Sequence, residues 1–156
     1  MDPIFTVPDA QFLWHVVSRL GAAALLGGLI GIEREWTGKA AGLRTHMTVA
    51  LGCAAFMLVA LESSDDASNT SRVIQGIAAG IGFIGAGTIL KRSEEEDIKG
   101  LTSAASIWLT AAVGAGAGAG QGWLALIAVT IAFVILLAFH GIDRWLARKR
   151  SAAEPD

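Results

Sequence analysis

The residues able to do chemistry stand in short blocks of an otherwise apolar chain: Glu33-Arg34-Glu35, then Arg44-Thr45-His46, then Lys99 with Thr102. Glu33 and Glu35 are hard oxygen donors of the kind that hold Mg²⁺ or Ca²⁺, so they are the metal candidates. The competing reading is structural. Arg34 and Arg44 would neutralise the two glutamates and staple neighbouring helices at a membrane surface, and most charge clusters serve in that way. His46 has the chemistry of a pH sensor or metal ligand, but a lone histidine beside a helix start more often caps or packs. Thr45 and Thr102 suit helix N-caps. Two positive helix ends together with Arg44 also suit an anion such as a lipid phosphate.

The glycines form a second set. Gly80-Ile-Gly82-Phe83-Ile84-Gly85 matches the nucleotide-binding string G-x-G-x-x-G, but no strand precedes it and no βαβ unit is available. Helix packing is the better reading, because Gly27/Gly31 and Gly76/Gly80 are G-x-x-x-G pairs that let backbones approach in lipid. A functional alternative gives Gly76, Gly80, Gly82, Phe83, Gly85 and Gly87 to a helix broken by glycine, with carbonyls open to an ion or solute. The alternating run Gly114 to Gly122 is expected to weaken the end of its own helix and form a turn. No nucleophile–base pair, zinc-ligand spacing or phosphate loop appears, and His15, His46 and His140 fall near different faces. No enzyme is expected, and no cofactor beyond Mg²⁺ at the glutamates.

The elements that position these residues follow from composition. Hydrophobic residues make up 53% of the chain and charged ones 17%, and the charges collect between apolar runs instead of covering a soluble surface. A membrane helix needs about 20 residues. Five stretches qualify: Phe12–Ile32, Thr45–Leu61, Val73–Leu90, Leu101–Ala119 and Trp123–Ile142. The expected class is therefore all-α and polytopic, with an outer segment 1–11, a transmembrane domain 12–142 and a basic cytoplasmic tail 143–156. No basic leader precedes the first run, so it is expected to remain in the mature protein.

Ten Lys and Arg residues fall in the 1–2 connection, the 3–4 connection and the tail, against Arg72 alone on the other side. The positive-inside rule then puts the amino terminus outside and the carboxyl terminus in the cytoplasm. Trp14 and Trp123 fit an outer aromatic belt, Trp36 and Trp145 an inner one. Arg19 is the one charge well inside a span, so it must snorkel outward or meet an acid, a carbonyl or water. No acidic residue lies inside any expected span, which argues against a cation pump. Gln75, Thr88, Thr102, Ser103, Ser106 and Thr110 supply polarity for helix contacts or a weak neutral path. Cys53 stands alone and packs as a small hydrophobe. A net charge of −2 gives no reason to expect a nucleic-acid partner. The tail Arg144-Trp-Leu-Ala-Arg148-Lys149-Arg150 suits anionic membrane lipid.

Three ordered blocks give the chain a family likeness: Gly28-Leu-Ile-Gly-Ile-Glu33-Arg34-Glu35 with Lys39-Ala-Ala-Gly42-Leu43-Arg44-Thr45-His46; Arg72-Val-Ile-Gln-Gly76 with Gly80 to Gly87; and Gly100-Leu101-Thr102-Ser103-Ala104-Ala105 continuing to Trp108. Between about Arg19 and Ala125 this set resembles the MgtC/SapB family of bacterial inner-membrane proteins. Longer members carry a cytoplasmic ACT-like domain after the last span, and the short basic tail makes this chain look like a SapB-type member. The resemblance implies growth under magnesium limitation, survival of some pathogens inside host cells, and regulation of membrane complexes such as the ATP synthase. The Lys39–Thr45 and Lys99–Ser103 strings suggest that spans 1–2 and 3–4 are parallel hairpin repeats, and small-residue faces suit a homodimer. A non-enzymatic membrane regulator linked to stress adaptation leads; a transporter or channel for an ion or small solute is the alternative.

Overall fold

The computed structural model describes the backbone of residues 8–63, 67–91 and 98–151, and the side chains of 8–63, 67–89 and 99–138. The chain begins its first helix where Asp9 accepts the Phe12 N–H at 2.6 Å, and α1 runs over Ala10–Trp36. It stops at Gly38 (φ +67°), where Lys39 N–H returns to the Arg34 carbonyl. This is a Schellman closure, which needs a left-handed residue that glycine adopts without strain. Then follow α2 (Leu43–Ser63), α3 (Ala67–Ala86), α4 (Leu101–Gly118) and α5 (Gly122–Ser151). Between α3 and α4, β1 (Leu90–Lys91) pairs antiparallel with β2 (Ile98–Lys99).

The helical class matches the sequence expectation, with adjustments. The short ladder was not foreseen. The third helix starts six residues before the expected Val73, where Asn69 donates to the Ala60 carbonyl of α2 at 3.2 Å, and ends four before Leu90. The glycines from Gly80 do not break it; α3 is continuous to Ala86. The fifth helix runs through the basic tail to Ser151. Arg144, Trp145, Arg148, Lys149 and Arg150 have side chains outside the described set, as do Lys91 and Arg92. Among the described residues, α1, α2 and α4 are long and apolar enough to cross a membrane, while the apolar run Gly122–Ala138 of α5 is shorter. The helix α3, with Asn69, Thr70, Ser71, Arg72 and Gln75 in its first half, does not meet that measure.

Three helices form the centre. Gly27 and Gly31 of α1 lie against His46, Ala50 and Leu43 of α2, so these two run antiparallel. On the other side of α2, Ala50 and Ala54 meet Gly114 and Gly118 of α4, a parallel pairing that advances by one helical turn on each. A Cβ at Gly27 would stand 2.6 Å from the His46 carbonyl oxygen, and one at Gly118 2.6 Å from that of Ala54. Backbone therefore touches backbone along both seams, the close approach that drives association in lipid. Gly114 and Gly118 are thus packing residues buried in a regular helix, where the sequence suggested a weakened end; the turn falls at Gly120 (φ +79°). Around this centre α3 packs mainly on α4, through Gly85 on Ala104, and α5 packs on α4 and α1.

The expected hairpin repeat has a likeness in helix order and in the glycine before each of α2 and α4. It does not extend to the connections, a tight turn at Gly38 in one case and a β-ladder in the other, nor to packing, since α1 and α2 share much more contact than α3 and α4. The predicted G-x-x-x-G pair at Gly76 and Gly80 packs on no helix among the described residues, with no atom within 4 Å of a Cβ placed at either.

These contacts separate the glycines into two classes. Gly114→Ala forces a methyl onto the Ala50 backbone and is expected to lower stability by about 1–3 kcal/mol. Gly82→Ala meets open space and gains helix propensity, so it is expected to be neutral or stabilising by up to about 1 kcal/mol. Thermal melting of the purified protein in detergent distinguishes the two.

Candidate functional site

The antiparallel α1–α2 seam turns the last turn of α1 toward the protein interior. Glu33 and Arg34 are consequently 2% and 3% exposed, and Arg34 Nε donates to Glu33 Oε2 at 2.5 Å. Neighbours in a helix ordinarily point apart; here the alternative for each would be an unpaired buried charge, which costs far more. Among the described residues one atom of each remains without a partner, Glu33 Oε1 and Arg34 Nη1. An acceptor and a donor are thus open side by side. That couple suits a water or a ligand that both donates and accepts. It does not suit a bare cation, because Arg34 already neutralises Glu33.

Glu35 does something else. Its Oε2 accepts the Leu43 N–H at 3.0 Å, so a carboxylate from the negative end of α1 caps the positive end of α2. A Cβ at Gly42 would crowd that carboxylate, which would have to swing away from the Leu43 N–H. This corrects the expectation for Thr45: α2 begins two residues earlier and takes its cap from the preceding helix. Thr102 is no cap either. It is the second residue of α4 and exposed, while Gly100 (φ +98°) occupies the cap position without a side-chain bond. Arg44 is exposed and makes no side-chain hydrogen bond or ion pair among the described residues, so Arg34 fills the role that the sequence offered to both arginines. Lys99 is exposed at the end of the ladder.

His46 is fully buried between α2 and α4. Nδ1 lies 2.9 Å from the Gly42 carbonyl, which can only accept, so in the neutral ring Nδ1 carries the proton. Nε2 then faces Ser106 Oγ at 3.2 Å, and that hydroxyl also reaches the Ser103 carbonyl at 2.9 Å. One hydroxyl proton serves either acceptor. Thr110 Oγ1 donates to the Ser106 carbonyl one turn further on. The charges of Arg34 and Glu33 act on the ring, so these three residues with Ser106 form one polar cluster at the end of the bundle. The sequence singled out His46 but not its partner on α4. The signal available was polar spacing in α4, where Ser103, Ser106 and Thr110 mark a single face.

At the opposite end Arg19 Nη1 donates to the Gly118 carbonyl at 2.9 Å. The backbone N–H groups of residues 119–121 take the Ala115, Ala117 and Gly116 carbonyls, so Arg19 satisfies the acceptor that the Schellman closure of α4 leaves over. Of the fates foreseen for this charge, the structure shows a carbonyl. Phe83 is 85% exposed, Gly87 and Thr88 form the turn after α3, and Gln75 is exposed. No three His, Cys, Asp or Glu side chains gather among the described residues, and Glu33 and Glu35 point to different partners.

Long apolar helices sealed by glycine and alanine, with charge gathered at one end, define an α-helical membrane protein. The chain belongs to the MgtC family, whose model matches residues 20–145. Protein SrpB of Synechococcus elongatus is 43% identical over 159 residues, covering 94% of this chain and 86% of its own length. YhiD of Escherichia coli K12, whose name gives magnesium transport as a proposed role, is 39% identical over 140 residues. Protein MgtC of Brucella abortus is 48% identical over 102 residues. The chain spans 64% of that YhiD and 42% of that MgtC. No solved structure matches it at a significant level.

The buried pair yields a stability test. Glu33→Ala leaves Arg34 uncompensated and is expected to cost about 3–5 kcal/mol, whereas Glu33→Met with Arg34→Leu restores an apolar site and recovers most of that loss. Melting of both variants beside the wild type checks it; a double variant as unstable as the single one contradicts the assignment.

Proposed function

We propose that this chain is a non-enzymatic regulator in the bacterial inner membrane, acting under magnesium limitation or related stress by contact with another membrane complex. One observation carries the reading: beneath the Glu33–Arg34–His46 cluster the bundle is closed by backbone contact. Gly27, Ala50 and Gly114 meet directly under the cluster, and Ala23, Ala54 and Val113 continue the seal. A solute entering at the polar end would meet this seam with no acidic side chain to carry it onward. The magnesium link comes from the family and from YhiD's name, and the ATP synthase is the complex that the family resemblance suggests.

The transporter reading draws on the same name and on the open donor–acceptor couple at Glu33 and Arg34. Flux into proteoliposomes, across a panel including Mg²⁺, decides between them. The regulator predicts no flux above empty vesicles, and co-purification of a membrane complex from cells grown at low magnesium. Flux that Glu33→Gln abolishes would replace it with a transporter.

Five alternating helices put the amino terminus outside and the charged end in the cytoplasm in this proposal, in keeping with the distribution of Lys and Arg. Because Cys53 is the one cysteine and is buried, a Cys53→Ser background is suited to labelling. Lys39→Cys is expected to react only after the membrane is permeabilised, and Gln121→Cys with intact spheroplasts; the reverse pattern inverts the topology.

A further inference from the structure

Between α2 and α3 the helices part to leave an open apolar groove of about 690 Å³, within the range of roughly 300–1,000 Å³ that holds small ligands. Its walls repeat every fourth residue. On α2 they are Thr48, Gly52 and Phe56; on α3, Gly76, Gly80 and Ile84. Glycine at three of these positions keeps the groove open, and no atom lies within 4 Å of a Cβ placed at Gly52, Gly76 or Gly80. One turn before Thr48 on the same face stands Arg44, exposed and unpaired among the described residues. Glu35 already caps the start of α2 through the Leu43 N–H, so at that end Arg44 is the group left to meet an anion.

We infer that this groove binds one acyl chain of an anionic phospholipid whose headgroup phosphate is held by Arg44. Dimensions favour a chain over a helix. From Arg44 to Phe56 the wall covers about 18 Å at about 1.5 Å per residue, close to the roughly 15 Å of one leaflet and well short of the roughly 30 Å seam that a second transmembrane helix would cover. Charge sets the direction. Arg72 stands one turn beyond Gly76 at the other mouth, but on that side it has no basic companion, while Arg44 shares its connection with Lys39. The inference explains an arginine that makes no bond among the described residues and a G-x-x-x-G pair that packs on no described helix.

The test is lipid retention by the purified full-length chain in detergent, read by native mass spectrometry with phosphatidylglycerol and phosphatidylcholine of matched chains. The wild type is expected to retain phosphatidylglycerol about fivefold better. Arg44→Ala should equalise the two lipids, and Arg44→Lys and Arg72→Ala should keep the preference. Gly80→Phe and Gly76→Phe, which fill the groove, should lose both lipids with melting unchanged. Equal retention by the wild type, or loss of preference in Arg72→Ala but not in Arg44→Ala, overturns the inference. So does a Gly80→Phe protein that still binds lipid but shifts from dimer to monomer, because the groove would then seat a second copy.

Discussion

Lipid tails are as apolar as the side chains that face them, so helices in a membrane are held by how closely their surfaces fit. In this protein the fit converges on one small residue. Ala50 has no exposed surface and lies between Gly27 of α1 and Gly114 of α4. A larger side chain at any of the three would push α1 and α4 away from α2. The rest of the bundle leans on that triple contact: α3 and α5 pack chiefly on α4, and the polar cluster is buried because α1 cannot separate from α2 above it.

That cluster shows how a membrane helix can end in charge without exposing it. Glu33 turns inward to Arg34, whereas Glu35 crosses the turn to meet the start of α2. Two carboxylates in one block thus do unlike work, one neutralised inside and one capping at the surface. His46 joins the arrangement to α4 through Ser106, so three helices meet at one end through polar side chains and a turn lower through glycine against Ala50. A structure built in this way is tightly coupled at its charged end and closed beneath it, as suits a protein that presents a surface.

Much of this was legible in the sequence because lipid imposes simple rules. Apolar length gave the helices, and the spacing of Gly27 and Gly31 gave the α1–α2 seam. Gly114 and Gly118 were misread because glycine at every second position looks like a breaker; their meaning lies in Ala50 and Ala54, a matching small pair distant in sequence. The cap of α2 was assigned to Thr45 on local grounds, while the real acceptor, Glu35, arrives from the preceding helix and leaves Gly42 as its trace. For the ion pair the sequence offers both Arg34 and Arg44, and only tertiary burial selects Arg34, although adjacent helical residues rarely meet. Gly76 and Gly80 follow the packing rule in sequence but meet no helix among the described residues.

The tie between Arg19 and Gly118 has a bearing on how the chain is made. Ninety-nine residues separate donor and acceptor, and at about 5–20 residues per second the ribosome needs roughly 5–20 s to synthesise that interval. Throughout it, α1 is in contact with the membrane while the carbonyl that its arginine will meet does not yet exist. Until α4 is made, water or lipid headgroups must satisfy the guanidinium, because an unpaired cation in the hydrocarbon is costly. The last hydrogen bond of the first helix is therefore one that it cannot make until the fourth has been synthesised.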